Sequence, residues 1–206
     1  MGRVSSRVSS LTMNDIQPAG GAEFTGDPTG LGGDLAPVGY FDPAGLANGK
    51  DAATLKMYRE AEIKHGRVCM LASAGLLTQE LLTNPLGIDG PAINHLDLVS
   101  TYFPEFFVIF VLGCAFVEGY SINNYWESRA EVRGTGRNAR LKADSDPGDL
   151  GWDPLGWYPE DPAEQQIIRT KEIQNGRLAM LAVAGIVAQE LTDGKEVLCH
   201  FQKVCA

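Results

Sequence analysis

The chain has 206 residues, 44% of them hydrophobic, and a formal net charge of −9. That length suits one domain, and the excess of acid speaks against a nucleic-acid partner, which calls for clustered cations. The mean hydropathy of −0.09 would fit a water-soluble protein, but it averages polar loops against short apolar spans.

The chain opens on MGRVSSRVSSLTM, rich in Ser and Arg and free of acids. This has a transit-like flavour without the apolar core of a signal peptide, so residues 1–38 are expected to form an arm and loop outside the fold. Asp-Pro pairs, such as Asp42-Pro43, Asp146-Pro147, Asp153-Pro154 and Asp161-Pro162, punctuate the loops as turn initiators; Asp27-Pro28 is another. Cys69 and Cys114 lie in apolar runs and read as small packing residues; Cys199 and Cys205 lie in the tail and could pair.

An internal repeat dominates the next stretch. Glu62 to Leu81, EIKHGRVCMLASAGLLTQEL, matches Glu172 to Leu191, EIQNGRLAMLAVAGIVAQEL, at 12 of 20 positions with an offset of 110. The lead-ins repeat as well: Phe41-Asp42-Pro43-Ala44-Gly45 before the first copy, Trp152-Asp153-Pro154-Leu155-Gly156 before the second. Each copy has about a dozen clean apolar residues, short of the ~20 that a membrane helix needs.

Between the copies runs YFPEFFVIFVLGCAFVEGY, Tyr102 to Tyr120, with Tyr102 and Phe103 at one end and Tyr125 and Trp126 at the other. A helix between those brackets would span about 33 Å, close to a bilayer core, with aromatic belts at both interfaces. Charge placement supports a membrane. From Val68 to Ser128 there is no Lys or Arg, whereas Arg129, Arg133, Arg137, Arg140 and Lys142 crowd the following loop. The hairpin from Thr83 to Thr101 carries only acids. With three crossings the basic loop shares a side with the N-terminus, as the positive-inside asymmetry requires. The expected fold is therefore an all-α membrane protein of three transmembrane helices over residues 39–193, followed by a tail at 194–206.

Each repeat copy opens with Glu at i, a ligand-type residue at i+3 and Arg at i+5: Glu62, His65, Arg67 and Glu172, Asn175, Arg177. Five residues turn a helix by about 500°, so Arg67 points roughly 140° away from Glu62 and each ion needs a partner elsewhere. The economical arrangement is reciprocal, Glu62 with Arg177 and Glu172 with Arg67, on two crossed helices related by a pseudo-two-fold axis. Gly66, Ala72 and Gly75, with Gly176, Ala182 and Gly185, would let the backbones approach. A buried ion pair often fails to recover its desolvation cost, but a carboxylate so neutralised keeps a lone pair for a metal. The magnesium of a chlorophyll needs one axial ligand, which a carboxylate, a neutral imidazole or an amide oxygen can supply. Gln79 and Gln189 lie fourteen residues beyond His65 and Asn175, about 21 Å along the same face, and suit a second pigment layer or a snorkelling role. A di-metal site of the Glu-x-x-His kind is disfavoured by Asn175 and leaves the Arg unexplained. Glu118 reads either as a ligand or as an interfacial carboxylate, His95 as polar surface, and His200 is undecided. A small transporter built on repeated helices would need a broken helix or a midplane charge path, and the sequence has neither.

The doubled Glu-x-x-(His/Asn)-x-Arg followed by Met-Leu-Ala resembles the light-harvesting chlorophyll-binding superfamily from about Gly39 to Glu190. Phe41-Asp42-Pro43-Ala44-Gly45-Leu46 and Arg59-Glu60-Ala61-Glu62-Ile63-Lys64-His65-Gly66-Arg67 are most similar to the fucoxanthin–chlorophyll a/c antennae of red-lineage algae. The resemblance implies a multi-pass thylakoid antenna with no enzymatic reaction, passing excitation to a photosystem core beside other antenna subunits and thylakoid lipids, or a photoprotective relative that dissipates it. It implies chlorophyll a, chlorophyll c and fucoxanthin or related carotenoids as cofactors. It also implies pigment ligands at Glu62, His65, Glu118, Glu172, Asn175 and Gln189, with Gln79 following from the repeat and Arg67 and Arg177 in cross-helix pairs. Two carotenoids would lie in the grooves of the helix cross, seated by the Asp-Pro loops. Two positions depart from the plant pattern: Ser121 stands where an Arg follows the middle-helix glutamate, and Phe110 where a glutamine ligand stands.

Overall fold

The computed structural model describes residues 31–35, 39–86, 90–127, 140–142, 144–195 and 197. The N-terminal arm with Asp27-Pro28, the residues Arg129, Arg133 and Arg137, and Cys199, His200 and Cys205 lie outside the described residues. The regular structure is helical: α1 Ala52–Leu86, a 3₁₀ turn at Ala92–Asn94, α2 His95–Tyr102, α3 Glu105–Tyr125 and α4 Pro162–Asp193. The chain divides into two compact units, one of residues 1–48 and 153–171, the other of residues 49–152 and 172–206.

The first unit holds the Asp42-Pro43 and Asp153-Pro154 loops, which are built alike. Asp42 accepts the amides of Leu46 and Ala47 at 2.9 Å each, and Asp153 accepts those of Trp157 and Tyr158 at 3.1 and 2.9 Å. In each loop a glycine at the same place, Gly45 or Gly156, takes the left-handed conformation, with φ of 64° and 63°, which a side chain would strain. The amide donors hold both carboxyls below the ordinary aspartate value of 3.8, Ala47 and Tyr158 contributing most.

In the second unit α1 is 35 residues long. It starts just after Asp51, which accepts from the Thr54 hydroxyl and pairs with Arg140 at 2.6 Å. The middle helix α3 runs 21 residues, about 31 Å. It begins after Pro104 rather than at Tyr102, since Pro lacks the donor a helix interior needs and suits the start. Tyr102 closes α2, while Tyr125 and Trp126 close α3, so the aromatic brackets fall at its ends. Among the described residues α3 alone is long and apolar enough to cross a membrane; α1 and α4 exceed its length but carry charges through their first halves. Beyond α3 the chain folds back, with Trp126 bridged to Leu141.

Several expectations need correction. The Thr83–Thr101 connection is not a plain hairpin, because it contains α2. His95, at the start of α2, is 4% exposed rather than surface. Glu190 Oε2 accepts the Ile93 amide at 3.0 Å and draws this segment inward. Gly75 and Gly185 face open space, because helices that cross at an angle meet at one place and diverge along the next turns. Cys114 is exposed on α3.

Candidate functional site

The meeting point of α1 and α4 is Gly66 against Gly176. A Cβ on either would lie 3.0 Å from the other's Cα, so only glycine lets the backbones come this close. The ions flank this point, a glutamate four residues before each glycine and an arginine one residue after it. Arg67 Nε donates to Glu172 Oε1 at 2.7 Å, and Arg177 Nε donates to Glu62 Oε1 at 2.7 Å. Each repeat copy thus lends its carboxylate to the arginine of the other, at equal distance. The guanidinium of Arg67 also donates to the Gly148 carbonyl at 2.7 Å. The Gly148 amide goes to the buried Glu60, so the loop before the second Asp-Pro motif is pinned on both sides. Gly148 has φ of 80°, and an added Cβ would meet Ile63 at 2.9 Å.

The two carboxylates are not equivalent. Glu62 Oε2 accepts from Arg59 Nη1 at 2.7 Å, so both its oxygens carry a guanidinium. Glu172 Oε2 has no hydrogen-bond partner among the described residues. Arg169, the repeat counterpart of Arg59, donates to the Tyr158 hydroxyl at 2.8 Å and lies over its ring.

His65 is exposed, with Nδ1 2.7 Å from the Ala61 carbonyl. A carbonyl only accepts, so Nδ1 carries the proton and Nε2 presents its lone pair outward, as an axial ligand must. Asn175 is exposed at the matching place on α4, and Gln79 and Gln189 are half-buried at matching places further along. Glu118 stands on α3, with Lys64 of α1 donating to its two oxygens at 2.8 and 3.2 Å. Ser121 is 2% exposed, so the position where the plant pattern has Arg points into the protein. The cation for Glu118 comes from the neighbouring helix instead.

The sequence reading missed a second reciprocal feature. Glu80 and Glu190 follow Gln79 and Gln189 in the repeat and are 1% and 2% exposed. Glu80 Oε1 accepts the Val197 amide at 2.9 Å, and Glu190 Oε2 accepts that of Ile93. Each copy's acid therefore holds the segment that follows the other copy. The signal was present: both copies share a carboxylate deep in an apolar run, where one is costly without a task.

These donors fit a tetrapyrrole magnesium. They are a charge-neutralised carboxylate with an open oxygen, an imidazole fixed in the ligating tautomer, and neutral amides, all on helices whose exposed faces are apolar. Leu71, Leu178, Leu181, Phe110 and Phe116 are all exposed. Such surfaces suit the rim of a macrocycle, and the donors suit its centre.

Comparison with known proteins agrees. The family model for chlorophyll A-B binding proteins matches residues 27–191. The chain is 44% identical over 178 residues to light-harvesting complex stress-related protein 3.2 of Chlamydomonas reinhardtii, covering 82% of this chain and 66% of that protein. It is 41% identical over 167 residues to a fucoxanthin-chlorophyll a-c binding protein of Isochrysis galbana, covering 80% of this chain and 78% of that protein. A chlorophyll a-b binding protein of Petunia hybrida is 35% identical over 177 residues, with 81% and 63% covered. The chain spans about two thirds of the length of the stress-related relatives, and all of these relatives are named chloroplastic. With a matched segment that takes in both repeat copies and every carboxylate described above, the chain belongs to the chlorophyll a-b binding family of light-harvesting proteins.

Proposed function

We propose that the protein is a thylakoid antenna that fixes chlorophylls and carotenoids at set positions and passes excitation to a photosystem. The observation that carries this is the pair of reciprocal ion pairs at 2.7 Å, which hold Glu62 and Glu172 neutralised while leaving lone pairs for magnesium. The active unit is the segment 39–193, with α1, α3 and α4 crossing the membrane and α1 and α4 related by a pseudo-two-fold axis. Glu62, His65, Gln79, Glu118, Glu172, Asn175 and Gln189 hold the pigments. Bound chlorophyll supplies the light absorption; the chain orients it, excludes water and tunes its surroundings. Chlorophyll a with chlorophyll c, and fucoxanthin or a related carotenoid, are the pigments that the likeness to the fucoxanthin-chlorophyll a-c proteins favours. Partners would be the photosystem core, other antenna subunits and thylakoid lipids.

A second reading, photoprotective dissipation, is favoured by the 44% identity to stress-related proteins. Chromatography of a pigment extract of the purified protein tests the common part: chlorophyll and carotenoid in fixed ratio are expected, and a colourless protein after gentle extraction would refute it. Fluorescence lifetime across pH separates the two readings. A long lifetime unchanged by acid supports harvesting; a lifetime shortened by acid supports dissipation.

A further inference from the structure

Glu118 lies about two thirds of the way along α3, whose 21 residues contain one other acid, Glu105, and no base. Its surroundings on the helix are apolar and open: Phe116, Val117 and Tyr120 are all exposed. A carboxylate facing hydrocarbon is costly without a partner. Lys64 reaches across from α1 and spans both its oxygens at 2.8 and 3.2 Å. Lys64 Nζ is also 3.8 Å from Glu60 Oε1, and Glu60 is itself held by the Gly148 amide. The ammonium is therefore anchored from behind. The Glu118 side chain still remains 52% exposed, and each oxygen has a second lone pair that Lys64 does not take.

An occupant apolar at its rim and Lewis-acidic at its centre suits that open half. We propose that Lys64 is a positioning residue for a chlorophyll on Glu118: it cancels the carboxylate's charge from the neighbouring helix and turns the free lone pairs outward to the magnesium. This rests on the pigment-binding reading above. It ties the occupancy of the α3 site to α1, two residues from Glu62 and one from His65. Ser121, where the plant pattern has Arg, is neutral and cannot serve as the counter-cation.

The test is refolding of the full chain with a chlorophyll and carotenoid extract, counting chlorophylls per polypeptide and following helix melting by circular dichroism. Lys64→Met should bind about one chlorophyll fewer than wild type, and Lys64→Arg should keep the full count. Lys64→Met combined with Glu118→Gln should regain the missing pigment, because an amide oxygen ligates without a counter-cation. A full count in Lys64→Met would overturn the proposal. So would a double variant that stays one pigment short, which would make the pair only a tie between α1 and α3. If Lys64→Met does not assemble, the double variant decides by the same count. Wild type that takes up no chlorophyll would instead defeat the pigment-binding reading itself.

Discussion

At the scale of single residues, the arginines and the histidine should fail differently. Arg177 and Arg67 neutralise carboxylates on the partner helix, and removing either leaves the other charge alone; with these side chains about a third exposed, the cost falls below the ~3 kcal/mol of a fully buried pair. Arg177→Ala should therefore lower the thermal stability of the whole complex and reduce every pigment together, read by melting and by pigment yield. Full assembly at the wild-type melting temperature would rule the pairing out as a structural element. His65 neutralises nothing; its Nδ1 is engaged by the Ala61 carbonyl and only Nε2 is on offer. His65→Ala should leave the fold intact and remove about one chlorophyll, and an unchanged pigment count would reject it as a ligand. The inequivalence of Glu62 and Glu172 is also a residue-scale matter. Arg59 draws electron density from the oxygen of Glu62 that Glu172 leaves open, so Glu172 should be the stronger donor.

At the scale of elements, the helix cross depends on one contact. Gly66→Ala would press a methyl group to 3.0 Å from the backbone of Gly176, with no flexible side chain to yield, and overpacking of this kind costs about 1–3 kcal/mol. Gly75→Ala faces open space and should be neutral, so comparing the two melting temperatures checks where α1 and α4 meet; equal losses would deny a single crossing point. The two Asp-Pro loops carry a pH prediction. Their carboxyls sit below the ordinary value of 3.8 because two amides solvate each anion. A depressed folded-state value means stabilisation that is present above the ordinary value and lost as pH falls through the folded one. Amide protection at Leu46, Ala47, Trp157 and Tyr158 should therefore persist from neutral pH to below about pH 4 and vanish only in stronger acid. Protection lost near neutrality would show that the carboxylates do not organise the loops.

For the whole molecule, the readable part was what the repeat duplicates. The glutamates and arginines could be matched across copies because five residues on a helix forbid pairing within one copy, and the structure brings Glu62 to Arg177 and Glu172 to Arg67. Unreadable were contacts between unlike segments. Lys64 to Glu118 joins residues 54 apart with no symmetry to announce it. The inward pull of Glu190 on Ile93, which buries His95, depends on a chain path that composition does not encode. Neither could small residues at 75 and 185 be told from those at 66 and 176, because spacing reveals a face but not where along it two helices part. The most direct measurement is an electron-microscopy map of the pigment-loaded protein around Glu172. It should show Arg67 on one oxygen of the Glu172 carboxylate and a tetrapyrrole metal on the other, and at Glu62 it should show Arg177 on one oxygen with the metal on the spare lone pair of the oxygen that Arg59 holds. A map with those carboxylates and guanidiniums apart, or with the oxygens open to lipid and no macrocycle over them, would contradict it.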